Sequence, residues 1–266
     1  MTEPTGWNKN TVYALSLYKY VAENAGLWPL DNRKTLRVSI VTIMHIVTLI
    51  VIIKDWIIKG NCGSITEMVD AFALFTLSLM NLIKIILSRR HQTKITSIFH
   101  SAVQDWVDTE NQKDVRIMIH HAYVGRIVCI VQMIGAYLAV VPMILMHFPS
   151  SFETYDSNND TIIVRSVPVG PKCWLPSDIS FTTYLGYYSL ICVQLFLLAN
   201  MFLGVDVFAF GLAMHLCGQF QVLNRSLGEF DGGEPVFEQK IKVSKFARRH
   251  YSLLQLADDF EVAFNM

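Results

Sequence analysis

The chain has 266 residues, of which 52% are hydrophobic and 17% charged, with a formal net charge of zero and a mean hydropathy of +0.37. Charge this sparse, against about 25% in ordinary soluble domains, points to a polytopic membrane protein, with a large and very apolar soluble α-domain as the alternative. A neutral chain has no bulk attraction for nucleic acid, and none is expected as a partner.

The N-terminus, MTEPTGWNKN, is polar and lacks the short apolar run of a cleavable signal peptide. Within residues 1–35, Val12, Leu15, Tyr18 and Val21 recur at a spacing of three to four and predict a short amphipathic helix. Gly26-Leu27-Trp28-Pro29 ends it, because glycine and proline punctuate helices. Trp28 fits a membrane interface and an ordinary buried position equally. The first span is expected over 36–58. Leu36–Ile53 is its apolar body, flanked at its start by Arg33, Lys34 and, one residue in, Arg37, and followed by Lys54. His45, mid-span, either faces a polar interior or is a hydrogen-bonded packing histidine, the commoner case. The second span is expected over 65–87. Its uncharged centre, Ala71–Ile83, is too short to cross alone. Glu67, Asp70 and Lys84 near its ends can reach the interfaces.

Residues 88–126 read as a cytoplasmic helical loop. Ile95, Ile98, Phe99, Ala102, Val103 and Trp106 fall at helical spacing, the pattern of an amphipathic helix outside the membrane. His120 and His121 are adjacent, so a helix points them to different sides. No Asp/Glu–His spacing indicates a metal, and no metal or cofactor is expected. The third span, 127–148, contains Pro142, which membrane helices tolerate when neighbours satisfy the freed carbonyl. A kink there is expected to open space near one end. The loop 149–178 is polar, with Pro168, Pro171 and Pro176 making its later half extended and turn-rich. It carries the sequon Asn159-Asp160-Thr161, a glycosylation site at Asn159 if the loop is outside.

The fourth span, 179–205, is 27 consecutive residues without a charge. As a helix it measures roughly 40 Å, more than the roughly 30 Å hydrocarbon core of a bilayer. The apolar pattern continues past Asp206 through Phe208, Leu212, Leu216, Phe220 and Leu223, so the helix is expected to project beyond the membrane. Residues 231–235 break it. A second amphipathic helix follows, marked by Ile241, Phe246, Leu253, Leu254, Ala257 and Phe260, and completes a cytoplasmic helical extension over 206–266. The fold expected is all-α: a multi-pass membrane bundle with four spans and cytoplasmic helical extensions.

Lys and Arg sort unevenly between the connections. Five lie in the stretch through Arg37, six in 88–126 and six after the fourth span, against two in Lys54–Lys59 and two in 149–178. The positive-inside bias then makes the N-terminus cytoplasmic and puts the sequon loop outside. Three of the five cysteines, Cys129, Cys192 and Cys217, lie in apolar or helical stretches and read as packed thiols. Cys62 and Cys173 share the expected outer side, and whether they pair is open at this stage. Nothing points to an enzyme. There is no Ser/His/Asp arrangement in context, no phosphate-binding glycine loop after a strand and no HExxH helix.

Several stretches resemble the insect odorant receptor family. Gly26-Leu27-Trp28-Pro29 is similar to an element before its first span. The run Pro168-Val169-Gly170-Pro171-Lys172-Cys173-Trp174-Leu175-Pro176-Ser177-Asp178, leading into Tyr184, Tyr188 and Gln194, resembles its outer-loop pattern. His250-Tyr251-Ser252-Leu253-Leu254-Gln255-Leu256-Ala257 resembles its cytoplasmic helix after the fourth span. The resemblance implies a subunit of a tetrameric ligand-gated cation channel in the plasma membrane of olfactory neurons, binding a small volatile odorant and assembling with the family's co-receptor. The family has seven spans and a pore lined by the seventh, so the sequence is expected to be the N-terminal part of a receptor without that span. Depth in the bilayer plus this analogy nominates Phe72, Phe75 and Ser78 on the second span, Tyr137, Leu138 and Val141 on the third, and Tyr184, Tyr187, Tyr188 and Ile191 on the fourth. Apolar, aromatic walls with few polar groups suit such ligands. Packing between helices is the competing reading for each. A gustatory receptor relative and a nonconducting four-span scaffold or regulatory isoform are the alternative functions.

Overall fold

The computed structural model describes residues 7–264 apart from positions 25, 27, 29–33, 156–160, 177, 231, 232 and 234. Asn159 and the odd-numbered positions of Gly26-Leu27-Trp28-Pro29 therefore lie outside the described residues. The elements are α1 (Lys9–Asn24), α2 (Lys34–Lys59), α3 (Ile65–Arg90), α4 (Gln92–Asp108), α5 (Gln112–Met146), β1 (Ser151–Tyr155), β2 (Thr161–Arg165), a 3-10 turn (Lys172–Trp174), α6 (Phe181–Leu227) and α7 (Val236–Phe264). Four helices are long and apolar enough to cross a membrane: α2, α3, α5 and α6. The bundle is all-α, as its uncharged runs predict, apart from one small hairpin. The chain forms two compact units, one of Thr35–Ile86 and Met133–Leu203, the other of Met1–Lys34, Leu87–Gln132 and Gly204–Met266.

The first of these units holds the apolar cores of α2 and α3. Gly60 stops α2: at φ +63 it takes the left-handed conformation that glycine adopts freely, and its N–H reaches Trp56 O at 3.1 Å. Ser64 and Glu67 start α3 as a capping box. Ser64 N–H donates to Glu67 Oε2 at 3.1 Å and Glu67 N–H to Ser64 Oγ at 3.3 Å. Hydroxyls inside the spans bond back to their own helix, Thr48 to Met44 O and Thr76 to Phe72 O. Polar groups facing a neighbour pair across it. Asn81 Nδ2 donates to Leu198 O at 3.1 Å, Tyr137 Oη to Asn200 Oδ1 at 2.9 Å, and Gln194 Nε2 meets His45 Nδ1 at 3.0 Å. His45 is fully buried and packed. α5 continues through Pro142 without ending.

The described part of the loop 149–178 holds a hairpin and a 3-10 turn. β1 and β2 pair antiparallel, Ser151 opposite Arg165 and Tyr155 opposite Thr161. Arg165 then donates from Nη2 to Ile179 O at 2.6 Å and from Nη1 to Ser180 O at 3.0 Å, fixing the hairpin to the start of α6. Cys62 and Cys173 form a disulfide with Cα atoms 6.1 Å apart. It ties the α2–α3 connection to the 3-10 turn.

In the second unit Trp28 is a core residue, 1% exposed, with Phe99 edge-on at 4.7 Å and Phe208 at 5.9 Å. The face of α4 expected from its periodicity is the buried one: Ile95, Ile98, Phe99, Ala102 and Trp106. Burying a side chain such as Phe99 contributes about 1.5–3 kcal/mol. Asp105 on α4 joins three helices, accepting from His215 Nε2 at 3.1 Å and from Arg249 Nη2 at 2.7 Å. Arg249 also donates to Gln219 Oε1 at 2.8 Å. Tyr18 of α1 lies against two glycines. A Cβ at Gly211 would stand 2.7 Å from its Cζ, and a Cβ at Gly125 would strike its Oη. Burial pushes the Tyr18 phenol above its ordinary range, so it packs as a neutral ring.

Two outcomes follow for purified protein. Gly211→Ala is expected to destabilise the detergent-solubilised chain by about 1–3 kcal/mol through overpacking against Tyr18. Gly135→Ala, where a Cβ meets nothing within 4 Å, leaves the thermal midpoint unchanged or slightly raised. Peptide mapping without reductant is expected to recover Cys62 linked to Cys173, with Cys129, Cys192 and Cys217 as free thiols.

Candidate functional site

A cavity of about 240 Å³ lies within the first unit, walled by α2, α3, α6 and the segment after β2. Its size falls below the roughly 300–1,000 Å³ of pockets for drug-sized ligands and fits something smaller. The helical periodicity of α2 puts Met44, Val47, Thr48, Val51, Ile52 and Asp55 along one stripe facing it. α3 adds Ala71 and Leu74, and α6 adds Tyr187, Leu190, Ile191 and Gln194. Val169, Gly170 and Trp174 complete the wall. Gly170, at φ +89, makes a turn that a residue with a Cβ would strain.

Trp174 lines the cavity beside the disulfide. Its indole Nε1–H donates to Gly60 O at 3.4 Å, its carbonyl accepts from Lys59 Nζ, and its ring stands edge-on to Trp56 with centroids 6.3 Å apart. Lys59 also pairs with the buried carboxylate of Asp55 at 3.2 Å, so the acid brings no uncompensated charge into the apolar wall. Ile52, Ala71 and Trp174 form a buried cluster flanked by Trp56, Met68, Leu74 and Phe75.

The residues nominated from sequence divide into three groups. Tyr187 and Ile191 line the cavity. Phe75 packs on Trp56 at 5.6 Å in the adjoining cluster, and Phe72, 59% exposed, meets the same ring at 6.4 Å. The others serve elsewhere. Tyr184 is fully buried and donates to Ser166 O at 2.7 Å, and Tyr188 donates to Ile144 O at 2.9 Å. Ser78 is fully buried. Tyr137 bonds Asn200, while Leu138 and Val141 face outward, where lipid would cover them. Sequence reasoning missed the α2 stripe and Trp174. Asp55, a charge one residue past Lys54 at the end of an apolar run, was the available signal.

Other crevices suit an apolar ligand less. One of about 330 Å³ between α6 and α7 is lined by Glu229, Lys245 and Arg249 beside Phe230 and Phe246. One of about 550 Å³ at the hairpin includes Glu67, Arg165 and Lys172. Among the described residues no group of His, Cys, Asp and Glu is placed to hold a metal ion.

A family profile described as 7tm Odorant receptor matches residues 64–266. No curated protein matches the chain. The matched region takes in α3 through α7, and with them every wall of the cavity except the α2 stripe. This multi-pass membrane protein belongs to the seven-transmembrane odorant receptor family.

Proposed function

We propose that the chain is the odorant-binding part of a ligand-gated cation channel subunit in the plasma membrane of olfactory neurons. The observation that carries this reading is the apolar cavity lined by Trp174, in a chain of the odorant receptor family. Its wall is carbon with few polar groups, which matches a volatile molecule that binds by shape and dispersion. Tyr187 and Ile191 of α6 are the binding residues nominated from sequence that this cavity retains, and the α2 stripe and Trp174 join them. The family's co-receptor is the partner proposed, on the resemblance of the outer-loop and late helical stretches.

The orientation proposed has a cytoplasmic N-terminus, supported by the uneven distribution of Lys and Arg. A disulfide at the hairpin end agrees with that side facing an oxidising compartment. Asn159 would then carry glycan.

Two measurements test the reading. Cells expressing a seven-span receptor that contains this chain, together with a co-receptor, are expected to give odour-evoked cation current, with the half-maximal concentration raised at least tenfold by Trp174→Ala at equal surface expression. Surface expression without current across a broad panel would count against the receptor reading. Glycosidase treatment is expected to sharpen the mobility of the wild type and leave Asn159→Gln unchanged. A wild-type chain that reaches the surface unglycosylated would count against the orientation.

A further inference from the structure

The polar side chains of the cavity wall are unequal in what they still offer. Trp174 is a donor, but its N–H is engaged by Gly60 O. Thr48 directs its hydroxyl proton to Met44 O, which leaves only oxygen lone pairs. Asp55 is a carboxylate with several acceptor positions and one ion-pair partner, Lys59. Tyr187 can donate or accept. Gln194 is 4% exposed. Its Nε2 donates to His45 Nδ1 at 3.0 Å, and its Oε1 has no hydrogen-bond partner among the described residues.

In the structure the amide nitrogen is the atom that faces His45 Nδ1, and an amide nitrogen meets a ring nitrogen only as donor. A neutral ring accepting at Nδ1 takes the amide's N–H and keeps its own proton on Nε2. The amide oxygen is then the group left over, on a helix that lines the cavity. An acceptor buried without a donor is the costly condition in a medium without water, and a ligand that supplies the donor removes that cost. A cation is the poorer candidate, because Lys59 already neutralises Asp55 and the rest of the wall is uncharged.

We infer that this cavity selects small apolar molecules bearing a neutral hydrogen-bond donor, alcohols or phenols, with the hydroxyl directed to Gln194 Oε1 and the hydrocarbon against Val47, Val51, Leu190 and Ile191. Esters, ketones, ethers and hydrocarbons of the same shape leave the amide oxygen unmatched. The inference rests on the odorant-binding reading of the cavity and adds the chemical class to it.

The test uses the full chain in lipid nanodiscs, with binding followed by tryptophan fluorescence and the signal of empty nanodiscs subtracted. The probes are 1-hexanol, its methyl ether, hexanal and heptane. The alcohol is expected to bind about tenfold more tightly than the other three, the usual worth of one hydrogen bond. Gln194→Leu and the closer isostere Gln194→Met are each expected to bring the four probes within about twofold of one another. Because the wild-type comparison changes only the ligand, it stands even if a variant fails to fold. Equal wild-type binding of alcohol and ether, or an alcohol preference retained in a folded Gln194 variant, overturns the donor assignment and leaves the site standing. Binding of none of the four overturns both.

Discussion

A polar group inside a bilayer has no water to fall back on, and the structure is organised by that constraint. Most polar side chains in the spans meet that constraint with a partner in protein, within their own helix or on a neighbour, and the amide oxygen of Gln194 is an exception. Thr48 and Thr76 take the local solution and bond to the preceding turn. Asn81, Tyr137 and the His45–Gln194 pair take the other and cross between helices. Such bonds contribute about 0.6 kcal/mol each on average, so their weight lies in orientation. An amide that must meet one carbonyl or one imidazole sets the rotation of its helix, where apolar side chains slide freely against one another.

The rotation of α2 decides where the cavity is. His45 and Asp55 are ten residues apart, about 15 Å along the helix and about 80° round it, so they pin α2 at two points on adjoining faces. His45 holds α2 to α6 through Gln194, and Asp55 holds Lys59, whose ammonium reaches Trp174 O. Between the two fixed points the side chains are Val47, Thr48, Val51 and Ile52, of modest size, and the space they leave is the cavity. Trp174 lines it with support from Gly60, Trp56 and the neighbouring disulfide. The site is thus a product of polar contacts at its ends and small residues between them.

The spans were legible because hydrocarbon demands long uncharged runs, and Ile179–Val205 could hardly be anything else. The α4 face was legible for a related reason, since a helix in water has one apolar stripe to bury. The cavity was not, because residues that line a pocket and residues that face lipid are the same kinds. Val47 and Leu138 look alike in sequence, yet only the first meets the cavity. Tyr184 and Tyr188 share the fourth span's aromatic cluster with Tyr187, but their hydroxyls are taken by backbone carbonyls of the loop and of α5. The hairpin was hidden by brevity: two five-residue strands in a polar loop carry too little alternation to register. Trp28 is ambiguous between interface and core in sequence, because its partners Phe99 and Phe208 lie far along the chain.

The bridge between Cys62 and Cys173 has a bearing on how the protein is made. The two cysteines are separated by 111 positions, a stretch that contains all of α3, α4 and α5. Cys62 emerges early in synthesis and has no partner until two crossings and the hairpin have followed it. The bond can close only when both thiols occupy the same oxidising compartment, which requires α3 and α5 each to have been threaded in the correct sense. A chain with one of these spans left out or inverted strands the two sulfurs on opposite sides of the bilayer. Closure of the disulfide therefore reports correct threading, and a misthreaded chain carries two thiols beyond Cys129, Cys192 and Cys217 by which it can be told from a finished one.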